Sequence, residues 1–418
     1  MAVLAGAAPK PTQRVSRWWT AAISLANLGL FMAYFGPLAV LLPNQVQDIA
    51  SQDKVVAFGW VTGLGALVAV IANPLAGALS DRTTSRFGRR RTWTLCGALL
   101  SAVALVLLAG RHTIAGVAVG WCLAQAGLNA MQAGIVASVP DQVPLSQRGK
   151  VSAWLGAPQC IGVIIAVYLV SKVVTGNAGY LLLAVLTVVL ALPFVLGTRD
   201  PPLDPRLRPP FAARAFVRSF WIKPKAHPDF GWAWLTRFLI VLGNSAAVLY
   251  LLYFLRDKVH YSRQFPGQTA EDGLVILLLV YTVVVVITAV VSGAISDRSG
   301  RRRRPVVISG VVMAVPAVML ALWPSWPVVV VAAAILGLGF GIYLSIDQAL
   351  ITQVLPAADA HGRDLGVMSV ASSAGQALAP AIAAPAVTYL GGYSTLYFCV
   401  GAIVLLGSAA VWRVRSVP

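Results

Sequence analysis

The stretch Gly77-Ala-Leu-Ser-Asp81-Arg82 recurs almost unchanged as Gly293-Ala-Ile-Ser-Asp297-Arg298. The step from position 77 to position 293 is 216 residues, and the same step separates Val139-Pro140 from Leu355-Pro356. A constant step between separate landmarks is hard to obtain by chance. It indicates that the chain consists of two halves with the same fold and the same orientation.

The sequence around both copies is too apolar for a water-soluble protein. Of the 418 residues, 58% are hydrophobic and 11% are charged, whereas soluble domains carry about 25% charged residues. Twelve apolar runs of about 20 residues, the length that crosses a bilayer, lie between residues 18 and 412. They lack the alternation of a barrel, so they predict helices. We predict an all-α membrane protein with two six-helix bundles, residues 1–197 and 231–418, joined by a cytoplasmic linker, residues 198–230.

The net charge of +18 predicts how these spans are oriented. Both termini and the loops after the even-numbered spans hold 25 lysines and arginines, and Arg237 lies inside a span. The opposite loops hold six: Lys54, Arg111, Lys172, Arg256, Lys258 and Arg263. This bias predicts an inner-membrane protein with both termini in the cytoplasm. The basic residues thus indicate contact with membrane lipid and not with nucleic acid.

The linker also contains a basic, aromatic stretch at residues 211–222. Such a stretch fits an interfacial helix on the anionic leaflet, and it equally fits a plain connection between two bundles. All four cysteines lie in apolar runs and all four histidines in predicted loops. We therefore expect no disulfide, no metal site and no cofactor.

Three loop motifs resemble those of a known family. Gly77-x-x-x-Asp81-Arg82 with an arginine-rich turn resembles the signature loop of the major facilitator superfamily, and its longer form through Arg91 is most similar to the glycoside and sucrose symporter branch. Pro140-Asp141-x-Val-Pro144-x-x-x-Arg148-Gly149 and Gly362-Arg-Asp-Leu-Gly366 resemble loops of the same branch. The resemblance implies a monomeric secondary transporter with its solute site between the halves, near the midplane.

The resemblance also implies a gate on the cytoplasmic side. A helix N-terminus attracts an anion, so we expect Asp81 to dock on the start of span eleven and Asp297 on the start of span five. Arg82, Arg148 and Arg298 would add charge-assisted hydrogen bonds. The alternative is that these arginines only fix the topology.

Two charges are predicted to lie deep in the membrane, Arg237 in span seven and Asp347 in span ten. Charges there cost several kcal/mol, about 2.5–3.5 on insertion scales, and are normally paired or functional. Both spans line the cavity in the family fold, so we expect the two side chains to face each other or to share a pocket. Three roles stay open: proton coupling through Asp347, direct contact with the solute, and a static ion pair.

The remaining candidates for the solute site are neutral polar or aromatic residues on the cavity spans. They are Asn27, Gln125, Asn129, Gln159, Asn244, Tyr343, Gln348 and Gln376. Amides and aromatic faces suit a neutral, hydrogen-bonding organic solute such as a sugar or glycoside, although each amide is also suited to bridging helices. In the family that these motifs resemble, proton–sugar symporters often keep an aspartate in span one, and sodium-coupled members of the glycoside branch keep acids in span two. This sequence has Asn27 in span one and Asn73 in span two, and this departure makes sodium the less expected coupling ion and a proton the more expected one.

Other functions fit the sequence less well. Proton-driven export of drugs or natural products is the main alternative, because Gly156-Ala-Pro158 and Gly162 in span five faintly resemble the motif of drug/proton antiporters. An enzyme would need a nucleophile–base pair, a metal cluster or a cofactor motif at membrane depth, and no such set is present in the sequence. A receptor or scramblase with the same fold is a further alternative.

Overall fold

The computed structural model describes residues 14–200, 202, 228–299, 303–354 and 361–414, with side chains except at 145, 296–299, 303, 348–354 and 361–366. In these ranges twelve helices are long and apolar enough to span a membrane, which confirms the predicted number and the all-α class. In chain order, α1–α12 are Arg17–Ile49, Lys54–Ser80, Arg89–Ala109, Ile114–Gln142, Leu145–Tyr168, Asn177–Gly197, Pro228–Leu249, Ala270–Ser299, Arg303–Leu322, Trp326–Val354, His361–Tyr389 and Tyr393–Ala410. Two short helices, Leu251–Asp257 and Tyr261–Gln264, lie between α7 and α8.

The apolar run at residues 18–43 predicts the first span, but helix α1 continues beyond this run to Ile49. Pro37 has no N–H to donate, and the helix passes through a π-helical turn, Pro37–Leu41, in which the Leu42 N–H donates to the Pro37 carbonyl. Such a turn keeps the helix intact while it bends. The extra turns carry polar side chains of α1 toward the second bundle.

The same helix pairs pack in both halves of the chain. In the first half α3 packs on α4 and α6, and α1 packs on α5 and α6; in the second half α9 packs on α10 and α12, and α7 on α11 and α12. Small residues allow the closest approaches, as is usual in membranes. A Cβ on Gly97 of α3 would lie 2.4 Å from the Met131 nitrogen of α4.

The two bundles meet mainly where α2 packs against α11. There Gly59 of α2 approaches Ala384 of α11 so closely that a Cβ on the glycine would lie 2.9 Å from the alanine Cβ. We call the end of the molecule with the α2–α3 and α4–α5 loops the arginine-rich face, and the other end, where α2 begins and α11 ends, the opposite face. The α2–α11 contact therefore lies in the half nearer the opposite face.

Candidate functional site

A buried ion pair joins α7 to α10. The Arg237 Nη1 lies 2.6 Å from Asp347 Oδ2, and Asp347 is 5% exposed. This contact is the one expected from the positions of the two residues in their spans. A lone charge at this depth costs several kcal/mol, about 2.5–3.5 by insertion scales, and the pairing offsets part of that cost.

Both partners of the ion pair have further hydrogen bonds. The Tyr343 hydroxyl donates to Asp347 Oδ1 at 2.9 Å, and Arg237 Nε donates to the Ser372 hydroxyl of α11 at 2.6 Å. Tyr343 and Asp347 are four residues apart and share one face of α10. The cluster therefore ties three helices together, and a change in the charge of Asp347 would act on all three.

A row of aromatic rings leads away from this cluster toward the first bundle. The Tyr343 ring lies 6.0 Å from the Phe340 ring, which stacks on Tyr281 of α8 at 6.3 Å. Tyr281 lies beside Asn244 of α7 and near Cys160 of α5 in the other bundle. The Asn244 Oδ1 is buried and has no hydrogen-bond partner among the described residues. It is an acceptor in reach of the bundle interface.

Neutral amides form a chain of hydrogen bonds inside the first bundle. Asn73 of α2 donates to Gln132 at 3.1 Å and to Asn129 at 3.3 Å, and Asn129 donates to the side-chain oxygen of Gln125 at 3.2 Å. Gln125 and Asn129 are buried. The predicted candidates on α4 therefore act together, in a network that also includes Asn73 and Gln132.

The Tyr34 hydroxyl extends this amide network to the second bundle. It donates to Gln376 of α11 at 3.3 Å and also bonds to Gln125. Gln376 is exposed, and so is Gln159 of α5. Tyr34 is one of the aromatic residues that the cavity spans offer in the sequence. Its position on a cavity span was the available signal, but sequence alone does not show which tyrosine crosses the interface.

Asn27 bonds to the backbone of a neighbouring helix. It donates to the Leu155 carbonyl of α5 at 2.7 Å, and Ser24 donates to the neighbouring Trp154 carbonyl at 3.0 Å. Pro158, four residues after Trp154, cannot supply the helical hydrogen bond to that carbonyl. The two α1 side chains therefore satisfy carbonyls at a proline in α5. The solute-site role of Asn27 stays a prediction, and so does that of Gln348, whose side chain lies outside the described residues.

The predicted gate residues of the first bundle bond within that bundle. The Asp81 Oδ1 lies 2.5 Å from Arg90 Nη2, while Arg90 Nε bonds to Asp141 Oδ2 at 2.6 Å. Arg148 donates to the Pro140 and Val143 carbonyls, and the Arg82 backbone N–H donates to Leu79. Docking of Asp81 on α11 stays a prediction, as does docking of Asp297 on α5. The side chains of Asp297 and Arg298 lie outside the described set.

A residue that the sequence did not single out holds the arginine-rich loop in place. The Asp200 Oδ2 accepts the backbone N–H groups of Arg90 at 2.6 Å and Arg91 at 3.0 Å, at the start of α3. Gly88, with φ of 91°, allows this approach, since a Cβ there would lie 2.4 Å from Asp200 Oδ2. Asp200 falls within the predicted linker, and no pattern in the sequence pointed to its role.

Ion pairs join the two bundles at the opposite face, which the sequence did not predict. Lys54 Nζ lies 2.7 Å from Asp257 Oδ1, and Lys172 Nζ lies 2.5 Å from Asp272 Oδ1. Arg256 donates to Asn44 at the end of α1 at 2.5 Å. Lys54, Lys172 and Arg256 had served only as topology markers in the sequence. We call these contacts the opposite-face gate.

Parts of α2 and α5 near the arginine-rich face have free space beside them. A Cβ on Gly77 of α2, or on Gly149 or Gly156 of α5, would have no heavy atom of the described residues within 4 Å. Trp154 of α5 is 53% exposed. The described residues therefore join the two bundles at the opposite face, whereas α2 and α5 have free space beside them near the arginine-rich face.

Solved structures with the same arrangement are membrane transporters. The crystal structure of a mutant of the nucleoside transporter NupG matches with a TM-score of 0.74 at 12% identity, over 95% of this chain and 100% of that one. A bacterial homologue of the human lysosomal transporter Spinster, in an inward-facing and occupied conformation, matches with a TM-score of 0.75 at 14% identity, over 95% and 96% of the two chains. These likenesses concern the fold.

Sequence comparison agrees with the fold. A general alpha-glucoside permease of Schizosaccharomyces pombe is 30% identical over 113 residues, which are 23% of this chain and 20% of the permease. The match thus spans about a fifth of the permease's length. The profile of the Major Facilitator Superfamily matches residues 20–278 and 267–418, nearly the whole chain. The chain therefore belongs to the Major Facilitator Superfamily and is a multi-pass membrane transporter, not an enzyme.

Proposed function

We propose that this transporter moves a neutral, hydrogen-bonding organic solute of the sugar or glycoside type, and that proton movement drives it by alternating access. In this proposal the arginine-rich face is cytoplasmic in an inner membrane, and the opposite face is periplasmic. The described conformation is then inward-open. The observation that carries the proposal is the buried Arg237–Asp347 pair at the edge of a polar interface between the bundles.

The composition of the interface supports a neutral solute. Gln159 and Gln376 are exposed, and Asn244 has a buried oxygen without a described partner. Amides offer both donors and acceptors, which match the hydroxyls of a sugar without requiring a charge on the solute. The partial likeness to an alpha-glucoside permease is consistent with this solute class.

The surroundings of Asp347 support proton coupling. Its carboxylate is bonded to Arg237 and Tyr343, and Arg237 bonds onward to Ser372 of α11. Protonation of Asp347 would remove the charge that holds Arg237 and would loosen α7, α10 and α11 together. A carboxylate that changes the packing of three helices can link proton uptake to rearrangement of the bundles.

The test is transport by purified protein in proteoliposomes with an imposed proton gradient. Thermal-shift screening against sugars and glycosides first identifies a solute. We expect Asp347→Asn to abolish gradient-driven accumulation while solute exchange persists. The matched control is Asp53→Asn, because Asp53 is exposed and makes no capping hydrogen bond; it should accumulate solute normally. Accumulation by Asp347→Asn at the unmodified rate would refute proton coupling through this residue.

Proton-driven export of an amphipathic compound is the second candidate. It is favoured by the exposed Trp154 and by the open space at Gly156 of α5, which would admit a larger apolar molecule. The same proteoliposomes distinguish the two functions. An exporter of this kind would move efflux substrates out of the compartment facing the arginine-rich face and would not accumulate sugars.

A further inference from the structure

The second bundle contains a cavity that shares Tyr281 with the surroundings of Asn244. It lies between α7, α8, α9 and α10 and has a volume of about 40 Å³. Apolar side chains form most of its wall, among them Ala247, Leu277, Leu278, Ala333 and Leu336. We call this cavity the apolar pocket. Cavities with such linings stay dry.

Tyr281 connects the apolar pocket to the polar interface. It forms part of the pocket wall, its ring stacks on Phe340 at 6.3 Å, and it lies beside Asn244 and near Cys160 of the other bundle. The unpartnered Asn244 Oδ1 is in the same place. Tyr281 thus lies between the pocket and the place where α8 comes near α5, and the Asn244 oxygen beside it is a buried acceptor.

We propose that the apolar pocket receives a short apolar group of the transported solute, while the hydroxyls of the solute bond to Asn244 and to the other amides of the interface. This inference rests on the proposed function and narrows it, from sugars in general to glycosides with a small apolar aglycone. One water-sized group needs roughly 10–15 Å³, so the pocket has room for about three such groups. A propyl or butyl group is the expected size.

The experiment measures the binding of n-alkyl β-D-glucosides, from methyl to hexyl, to the full-length protein in nanodiscs. Each methylene that enters the pocket should raise the affinity roughly fourfold, the factor that corresponds to burial of one CH₂. The gain should end near propyl or butyl. Ala333→Trp, which fills the pocket, should abolish the gain. Leu338→Trp is the matched control on the exposed face of α10, and it should keep the gain.

A second variant keeps the inference testable if Ala333→Trp does not fold. Leu336→Ala enlarges the pocket, so the gain should continue to longer chains than in the unmodified protein. Affinities that do not depend on chain length would overturn the inference and leave the proposed function standing. A lipid chain that already fills the pocket would produce this result, because the alkyl group of the glucoside could not enter. A gain that is equal in Ala333→Trp and Leu338→Trp would also overturn it. Failure of every glucoside to bind would overturn both.

Discussion

Arg237 and Asp347 depend on each other, because each is the charge that makes the other tolerable inside the bundle. The first prediction concerns their stability. Asp347→Asn leaves Arg237 buried without its counter-ion, which should cost about 3–5 kcal/mol and lower the thermal midpoint of the purified protein. The double variant Arg237→Gln with Asp347→Asn removes both charges and should recover most of the lost stability.

Transport separates a static ion pair from a coupling device. The double variant should remain unable to accumulate solute although it is stable again. If restored stability brought accumulation back, the pair would be a packing element only. The thermal midpoint and the proteoliposome assay together therefore test the residue-scale account.

Asn27 and Gln376 look alike in sequence but differ in their partners. Asn27→Ala removes one hydrogen bond to the Leu155 carbonyl and should cost about 1 kcal/mol of stability, with solute affinity nearly unchanged. Gln376→Ala should lower the solute affinity and leave the stability nearly unchanged, because the Gln376 side chain is exposed at the interface and bonded to Tyr34. Thermal unfolding and solute binding, measured on both variants, check the contrast. Equal effects would contradict it.

Some contacts of single residues could be predicted from the sequence, and others could not. Arg237 and Asp347 could be predicted to meet, because an apolar environment demands a partner for each charge. The partner of Asn27 could not be predicted, since the bond depends on the position of α1 against Pro158 of α5. An amide that bonds a backbone carbonyl and an amide that faces a solute look the same in the sequence.

At the scale of elements, the start of α3 depends on a long-range cap. Gly88→Ala would place a Cβ about where Asp200 sits, at a positive φ, and should destabilise the protein by about 1–3 kcal/mol. Gly149→Ala is the matched control, because no atom of the part of the chain that the structure describes lies within 4 Å of its Cβ position in α5. The thermal midpoint of each variant tests this prediction. An unchanged thermal midpoint in Gly88→Ala would show that the protein does not need the Asp200 contact.

The elements themselves followed from simple patterns. Apolar runs of membrane-spanning length predicted twelve helices, and the repeat at a step of 216 residues predicted that helix pairs would recur. The extension of α1 to Ile49 was missed, because a π-helical turn lets the helix continue past Pro37 and Pro43. Prolines in a sequence mark bends, but they do not tell whether the helix continues beyond them.

At the scale of the whole molecule, the opposite-face gate should open during each transport cycle. In a cysteine-free background, Lys54→Cys and Asp257→Cys replace an ion pair that joins the bundles. Linking these cysteines with a short, reducible bifunctional reagent should stop transport, and reduction should restore it. The control links Arg89→Cys to Asp141→Cys, which replace an ion pair within the first bundle. This link should not stop transport. Full transport with the gate linked would contradict alternating access at this face.

The central claim is that the protonation state of Asp347 shifts the two bundles between conformations. Spin labels at Asp53 and Lys258 report the separation across the opposite face, and labels at Thr84 and Arg304 report it across the arginine-rich face. Lowering the pH should lengthen the first distance and shorten the second, and Asp347→Asn should show the low-pH distances at every pH. A pH-dependent shift that persists in Asp347→Asn, or distances that never change, would contradict the account.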